Sequence, residues 1–381
     1  MYGFLFFIPT IALMPHVMYF LPVIYFLYSN RNNLGNYRLN FRGIDRNLIL
    51  ISAIVLLCFI NRFCCYIENS NESILEIIPY TILMFFSYFY SKIIRLKDLK
   101  VLVYLILVES IVVILEYLLK INTFIPSLDK SEILAMHTDE LYYSRPFGLS
   151  SNSSVIAYKI FLAFLLLDIL KLKTYYYQII RCVLFVAIFL TFNRTVFLVL
   201  LIYLMFQIFK PTLIIIIDFL YLKLKKKYVI QFVIGFMIFM FTTFFVVNYF
   251  DSIISQLTRN KGFDLAGRDE IWADFFSYIK NHLWLGNGSK KYLVDYYSGP
   301  IHAHNSFIQI LANNGLFITL FFLLLIITNI NRLNVSYIIA IIIYSLFQYG
   351  IFWGISLVDI LFFMILFRLD IFVQNQLEIK E

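Results

Sequence analysis

Charged residues are scarce in this chain. Only 14% of its 381 residues are Asp, Glu, Lys or Arg, whereas 61% are hydrophobic and the mean hydropathy is +0.83. A soluble globular domain carries about 25% charged residues, so this composition excludes that class. Repeated apolar runs of about twenty residues match the hydrocarbon thickness of a bilayer, where each run must satisfy its own backbone as a helix. We therefore predict an all-α integral membrane protein in which residues 1–381 form one membrane-embedded domain.

Signatures of several enzyme classes are also missing. The sequence has no Asp-x-Asp pair, no glycine-rich phosphate loop before a helix and no Gly-x-Ser-x-Gly motif. These absences argue against a metal-dependent transferase that uses nucleotide sugars and against an ATPase. Cysteine is scarce too, and the four present lie in or beside apolar runs without metal-ligand spacing, which predicts packing roles. We expect neither a cofactor nor a metal.

The net charge of +8 comes largely from Lys and Arg in short loops between apolar runs. That placement indicates membrane topology rather than a nucleic-acid partner, because positively charged loops stay in the cytoplasm. The stretches around residues 31–46 and 92–100 are predicted to be cytoplasmic, and the acidic stretch around 68–73 faces outward. The same alternation puts a loop at 120–154 and a large loop at 250–304 at the outer face.

The apolar runs predict a helical bundle of about eleven transmembrane helices, within limits of ten and twelve. We place them at about residues 2–28, 48–67, 74–91, 99–119, 155–170, 177–192, 194–210, 228–249, 316–330, 335–349 and 355–367. Three prolines in the first run favour a kinked or broken helix, so a short hairpin stays open there as an alternative to one crossing. Residues 212–227 are predicted to form an interfacial helix, because their apolar stretch is too short to cross.

Three arginines depart from the expected charge pattern, since each lies at the predicted outer face. Arg145 lies in the 120–154 loop, Arg194 at the junction of two helices, and Arg268 in the large loop. A guanidinium is a permanently charged planar fork that matches phosphate oxygens. Three of them together predict a pyrophosphate clamp, and for any single one the alternative is a pair with a lipid headgroup or a carboxylate.

The motif HAHNSF precedes the return of the chain into the membrane. His304 titrates near neutrality and can take a proton from an attacking hydroxyl. His302 would point elsewhere if this stretch were extended, and the loop supplies no third ligand at metal spacing. Asn305 is favoured as a cap of the next helix. Trp272 can stack on a sugar, although a place in the interfacial aromatic belt is the favoured interpretation.

Two carboxylates interrupt the apolar run at 99–119. Glu109 and Glu116 are seven residues apart and therefore share one helix face. A carboxylate at membrane depth is costly and usually faces a partner or a wet cavity. An ion pair with a neighbouring helix is the favoured interpretation, and a share in the active site is the alternative.

In their order along the chain, these motifs resemble the O-antigen polymerase and O-antigen ligase superfamily of bacterial inner-membrane proteins. The matching elements are TFNRT around Arg194, GRDEIW with Arg268 and Trp272, NHLWLGNG at residues 281–288, and HAHNSFIQILANNG at residues 302–315. The flanking spans match in hydropathy alone. Departures such as Asn193, where the family often has Ser, leave the sub-family open.

The resemblance implies an inverting, metal-independent glycosyltransferase that acts at the periplasmic face on glycans linked to undecaprenyl pyrophosphate. Carried over by position, Arg194 and Arg268 bind the donor pyrophosphate, and His304 activates the acceptor hydroxyl. The predicted substrate-binding set is completed by Arg145, His302, Asn305 and Trp272.

Within the superfamily we favour a repeat-unit polymerase of O-antigen or capsule, because the chain is compact and rich in Phe, Tyr and Ile. An O-antigen ligase, which transfers the glycan to lipid A core, is the first alternative. A flippase or other transporter of lipid-linked oligosaccharides is the alternative of a different class. It would need charges along a path through the membrane and usually repeated halves, whereas here the polar residues collect at one face. The expected partners are the lipid-linked oligosaccharide, membrane lipid and a chain-length regulator protein.

Overall fold

The structure, a computed structural model, describes residues 1–29, 46–68, 80–128, 145–170, 174–221, 268–296, 299–352 and 354–372. The helices in this part of the chain are α1 (Tyr2–Phe7), α2 (Leu21–Ser29), α3 (Arg46–Glu68), α4 (Met84–Ile93), α5 (Leu96–Leu118), α6 (Ser153–Leu170), α7 (Thr174–Leu190), α8 (Arg194–Tyr221), α9 (Arg268–Asn281), α10 (Ser306–Ile327), α11 (Val335–Phe347) and α12 (Leu357–Phe367). Single 3-10 turns cover Ile8–Thr10, His16–Phe20, Tyr80–Leu83 and Pro126–Leu128. Strands β1 (Val294–Tyr296) and β2 (Gly299–Ile301) form an antiparallel hairpin.

In the described part of the chain, four helices are long and apolar enough to cross a bilayer, namely Arg46–Cys65, Leu96–Leu118, Ser153–Leu170 and Ser306–Ile327. They are accompanied by shorter apolar helices at His16–Ser29, Tyr175–Leu190, Arg194–Phe209, Val335–Phe347 and Leu357–Phe367. This confirms a mostly helical membrane protein. The number of crossings stays a prediction, and the span expected at 228–249 lies outside the described residues.

Helix α6 lies at the centre of the bundle. It is apolar on every side, and 83% of its span is buried inside the protein, as expected for a helix that has no lipid-facing or polar stripe. Helices α5 and α7 pack directly against it. The start of α6 is therefore fixed by neighbours on several sides, which matters because polar residues gather there.

The first 29 residues fold back on themselves. The Met1 amine lies 3.1 Å from Asp98 Oδ1 at the start of α5, and the ring of Tyr25 returns to within 5.1 Å of the Tyr2 ring. Proline in a helix interior favours a kink or a break, and here Pro15 holds an extended conformation between the two arms. The expected break in this segment is confirmed, and its two arms pack together as a hairpin would. Whether it crosses the membrane once or twice stays a prediction.

Contacts between helices define two ends of the bundle. Tyr158 near the start of α6 stacks on Tyr344 near the end of α11, with ring centroids 3.5 Å apart. Near the end of α6, Asp168 accepts a hydrogen bond from Tyr203 of α8, which contacts Tyr337 at the start of α11. Thus α6 and α8 run parallel, and α11 runs antiparallel to both.

The end at which α6, α8 and α10 begin and α11 ends is called the histidine end here. Asn305, just before α10, donates to the carbonyl of Leu346 in α11, and Asn193, just before α8, donates to Ser154 of α6. The opposite end is called the cationic end. It carries Arg46, Lys92, Arg95, Lys97, Lys100, Arg332 and Arg368 at helix ends and turns.

Helix α8 is longer than expected. It continues without interruption through Pro211 to Tyr221, so residues 212–221 extend this helix in place of a separate one. A separate helix beginning at residue 212 was therefore wrong, because the apolar run on both sides of Pro211 favours one continuous helix. An interfacial position of residues 212–221 stays a prediction. Residues 222–227 lie outside the described residues.

Candidate active site

Helix α10 is broken at Gly315, where φ is 75° and ψ is 178°. The loop at 283–289 packs its backbone into this break, and the Leu316 N–H donates to the Leu283 carbonyl at 2.8 Å. A Cβ at position 315 would lie 2.0 Å from the Trp284 carbonyl oxygen. Only glycine fits both the left-handed φ and this close approach. The break therefore fastens the NHLWLGNG segment to α10.

Two amide side chains in the first half of α10 hold the chain that precedes it. Gln309 accepts the Ala303 N–H at 2.8 Å and donates to the Tyr292 carbonyl at 2.7 Å and to Asn313 Oδ1 at 2.9 Å. Asn313 Oδ1 also accepts the Tyr292 N–H at 2.8 Å. Both amides are fully buried, so they form their hydrogen bonds with protein groups rather than with water. Ala303, which separates the two histidines, is thereby fixed.

Trp272 and Asn305 support the same loop. The indole of Trp272 donates to the Ala303 carbonyl at 2.6 Å. The Asn305 side chain accepts the N–H groups of Phe307 and Ile308 at 2.8 and 3.0 Å. Capping by Asn305 is confirmed, and Trp272 is anchored to the histidine loop, while its place in an aromatic belt stays a prediction. Their contacts with substrate stay predictions.

The two histidines are in contact, contrary to the expectation for an extended stretch. His304 has φ of 49°, and this left-handed turn brings its ring to a centroid distance of 4.4 Å from the ring of His302. The backbone N–H of His304 donates to Nδ1 of His302 at 3.2 Å. Nδ1 of His304 lies 3.2 Å from Oε1 of Gln348, the residue that follows α11.

Burial and nearby cations keep both imidazoles neutral. Burial, reinforced by His304, lowers the pKa of His302 to about 4. Burial also lowers the pKa of His304. The hydrogen bond with Gln348 raises this pKa, whereas the charge of Arg268 lowers it further. At neutral pH a neutral imidazole offers a lone pair to a proton donor, so this pair can accept a proton.

Arg268 lies beside these histidines at the start of α9. Burial lowers the pKa of its guanidinium, and its charge acts on both imidazoles and on Tyr344. Among the described residues, no carboxylate forms an ion pair with Arg268. A half-buried cation in that situation suits an anionic ligand, because the ligand would supply the missing counter-charge.

Arg194 and Arg145 occupy the same end of the bundle. Arg194 begins α8 with an exposed side chain, next to Asn193 and its bond to Ser154. Arg145 is half-buried and directly precedes the turn at 146–150. The structure thus brings Arg268, Trp272, His302, His304 and Asn305 together, and it places the other two arginines at that end. Their convergence on one phosphate group stays a prediction.

The two carboxylates of α5 belong to the scaffold at this end. Glu109 forms a buried ion pair with Lys159 of α6, with an N···O distance of 2.8 Å, which confirms the ion-pair interpretation. Glu116 accepts the backbone N–H groups of Phe147 and Gly148 at 3.1 and 2.7 Å. It therefore fixes the turn that follows Arg145, and no ion pair of Glu116 is found within the described residues.

Two residues near the histidines were missed from the sequence. Gln348 follows an apolar span, and a polar side chain at such a place is itself a functional signal. Lys291 lies close enough to His302 to lower its pKa, while burial lowers the pKa of Lys291 and the charge of Asp359 raises it. The sequence did not indicate that Lys291 lies near the histidines, because the position of a lysine in the large loop depends on how that loop folds.

The fold and this cluster define a multi-pass helical membrane protein with a histidine and arginine site at one end of its bundle. Residues 179–323 match the family model described as O-antigen ligase (Wzy_C), and this part of the chain is a domain of that family. The family covers O-antigen ligases and polymerases, which are glycosyltransferase-type enzymes with lipid-linked glycan substrates. The match includes both histidines, Arg194 and Arg268, and leaves out Arg145 and Gln348. No curated protein and no solved structure matches the chain.

Proposed function

We propose that this protein is a repeat-unit polymerase of O-antigen or capsule. It transfers a glycan from undecaprenyl pyrophosphate to a hydroxyl group of another lipid-linked repeat unit. The observation that carries this proposal is the neutral His304 beside Arg268, a cation without an ion pair among the described residues, inside the matched family domain. A base and an anion-binding group at one place are what such a transfer requires.

The reaction is a single displacement at the anomeric carbon of the donor. The acceptor oxygen forms a bond to that carbon while the carbon–oxygen bond to the pyrophosphate breaks with its electron pair. The acceptor proton passes to the His304 imidazole, and the charge that develops on the leaving pyrophosphate is stabilised by Arg268 and Arg194. Attack from the side opposite to the leaving group inverts the anomeric configuration.

The charge distribution supports a periplasmic location of the site. Among the described residues, seven Lys and Arg lie at the cationic end, at helix ends and short turns, which is the pattern of a cytoplasmic side. The cations of the histidine end lie mostly in or beside its long loops, where the charge rule does not apply. The histidine end is opposite. In this orientation the donor is reached after its transfer to the outer leaflet, with the polar loops 120–154 and 250–304 above the membrane.

An O-antigen ligase is the second candidate, favoured because the matched family is described as O-antigen ligase. The two enzymes share the donor and differ in the acceptor. The polymerase is preferred because the chain is compact and rich in Phe, Tyr and Ile, and a ligase must also accommodate the lipid A core. Both candidates use the same base and the same cations.

The test supplies purified protein in detergent with one lipid-linked repeat unit and, separately, with that unit and lipid A core. A ladder of products from the repeat unit alone supports the polymerase. Product formed only when lipid A core is added supports the ligase instead. Inactivity in both assays, together with transport of the lipid-linked unit in liposomes, would contradict the proposed glycosyltransferase.

A further inference from the structure

We infer that Gln348 is a positioning residue that selects which nitrogen of His304 acts as the base. This inference rests on the proposed function, because it concerns the atom that receives the acceptor proton. The contact that carries it is the 3.2 Å approach between Oε1 of Gln348 and Nδ1 of His304. A carboxamide oxygen only accepts hydrogen bonds, so Nδ1 must carry the proton. The lone pair is then left on Nε2.

His302 has the opposite arrangement. Its Nδ1 accepts the backbone N–H of His304 at 3.2 Å, so the proton of the neutral ring is on Nε2. The two neighbouring imidazoles therefore have complementary roles, one with a donor Nε2–H and one with an acceptor Nε2. In the proposed reaction His304 takes the proton.

The backbone around Gln348 is fixed independently of its side chain. The Ser306 hydroxyl donates to the Gln348 carbonyl at 3.3 Å and accepts the Gly350 N–H at 2.9 Å. Asn305 donates to the Leu346 carbonyl at 2.8 Å. These bonds join the start of α10 to the end of α11. A change of the Gln348 side chain therefore removes one contact with His304 and leaves the junction intact.

In the described part of the chain, several charged or titratable groups interact with His304 or with its neighbours His302, Arg268 and Lys291. They come from its own loop, from α9, from the segment before β1, from α11 and its end, and from α12, and are His302, Arg268, Lys291, Tyr344, Tyr349 and Asp359. The nearest cation favours the neutral ring, which agrees with a base. Gln348 is uncharged, so it orients the ring without making it a cation, as a carboxylate would tend to do.

The first arm of the test compares Gln348→Leu with Gln348→Glu in the transfer assay. The leucine variant loses the Nδ1 acceptor, and we expect kcat to fall at least about 10-fold with little change in KM, since a positioned base contributes about 10²–10⁴. The glutamate variant keeps the acceptor and adds a charge that favours the imidazolium. Its rate should fall, on acidification, at a higher pH than that of the wild type. Gln207→Leu, a matched change at the cationic end where Gln207 contacts Ser336, is the control and should leave kcat unchanged.

The second arm measures the tautomer directly by nitrogen NMR of protein labelled at histidine, with His304→Ala to assign the signal. We expect a protonated Nδ1 at His304 in the wild type and a shift toward the Nε2–H tautomer in Gln348→Leu. If the carboxamide of Gln348 were reversed, its NH2 group would face Nδ1 of His304, and the ring would be protonated on Nε2. Finding that tautomer in the wild type would overturn the inference. So would Gln348→Leu with wild-type kcat and pH profile while His304→Ala is inactive. Full activity of His304→Ala would instead refute the base of the proposed function.

Discussion

Two buried polar clusters lie at the same end of the bundle and differ in how their charges are balanced. In the carboxylate cluster, Glu109 faces Lys159 and Glu116 accepts backbone N–H groups, so each negative charge has a partner within the protein. In the histidine cluster, the charge of Arg268 acts on two neutral imidazoles and finds no carboxylate partner among the described residues. The difference separates a scaffold, whose polar groups are satisfied by folding, from a site that is completed by an anionic ligand.

The largest effect expected from this difference is on Arg268. Replacement by alanine should lower the transfer rate about 10²–10³-fold, because a group that stabilises charge in the transition state is lost. Arg268→Lys should recover only part of the rate, since an ammonium lacks the planar fork. The measurement is the transfer rate per folded molecule. The control is Lys280→Ala, a change at an exposed residue in the last turn of the same helix. If Arg268→Ala and Lys280→Ala had equal rates, the histidine cluster would not differ from the carboxylate cluster in needing a ligand.

The carboxylate cluster should respond in stability rather than in rate. Glu109→Gln leaves Lys159 buried without a counter-charge, which costs about 3–5 kcal/mol in proteins where buried pairs are broken. Lys159→Met should destabilise the fold similarly, and the double variant should regain most of the loss. Thermal unfolding in detergent measures this, with activity normalised to folded protein. A wild-type melting temperature for both single variants would show that the pair does not hold α5 to α6.

A smaller effect is expected in the pH dependence of the transfer. The base is the neutral form of His304, whose pKa burial and Arg268 lower below its ordinary value of about 6.5. Activity is therefore present above the lowered pKa and is lost as the pH falls through it. The rate should stay level from pH 7.5 to 6.5 and decline only at lower pH. A half-maximal rate at or above pH 6.5 would mean that the ring is not shielded as described.

The fold was predictable where apolar runs decide it. The span expected at 155–170 is found as Ser153–Leu170, and the cap at Asn305 is where its side chain predicts it. The first 29 residues could not be decided, because proline signals a break and not the direction in which the chain continues. Likewise, Pro211 did not end α8, since the apolar run on both sides favoured one helix over a local proline signal.

The site was predictable by residue type but not by arrangement. Arg268, His302 and His304 could be found because charge and imidazole are rare in this chain, and the family motif placed them. The contact between the two rings depends on the left-handed φ of His304. No residue type near His304 predicts this backbone conformation. The bond to Gln348 joins residues 44 positions apart, and it depends on how α10 meets α11. Such a contact follows from packing, which the sequence pattern does not specify.

The account depends most directly on the role of His304, which can be measured as the single-turnover transfer rate of His304→Ala across pH 5 to 9. The variant should transfer glycan at least about 100-fold more slowly than the wild type, with no acid limb. It should still insert into the membrane and unfold at the wild-type temperature, because the ring is anchored by one side-chain bond. A wild-type rate at any pH in this range would contradict the account.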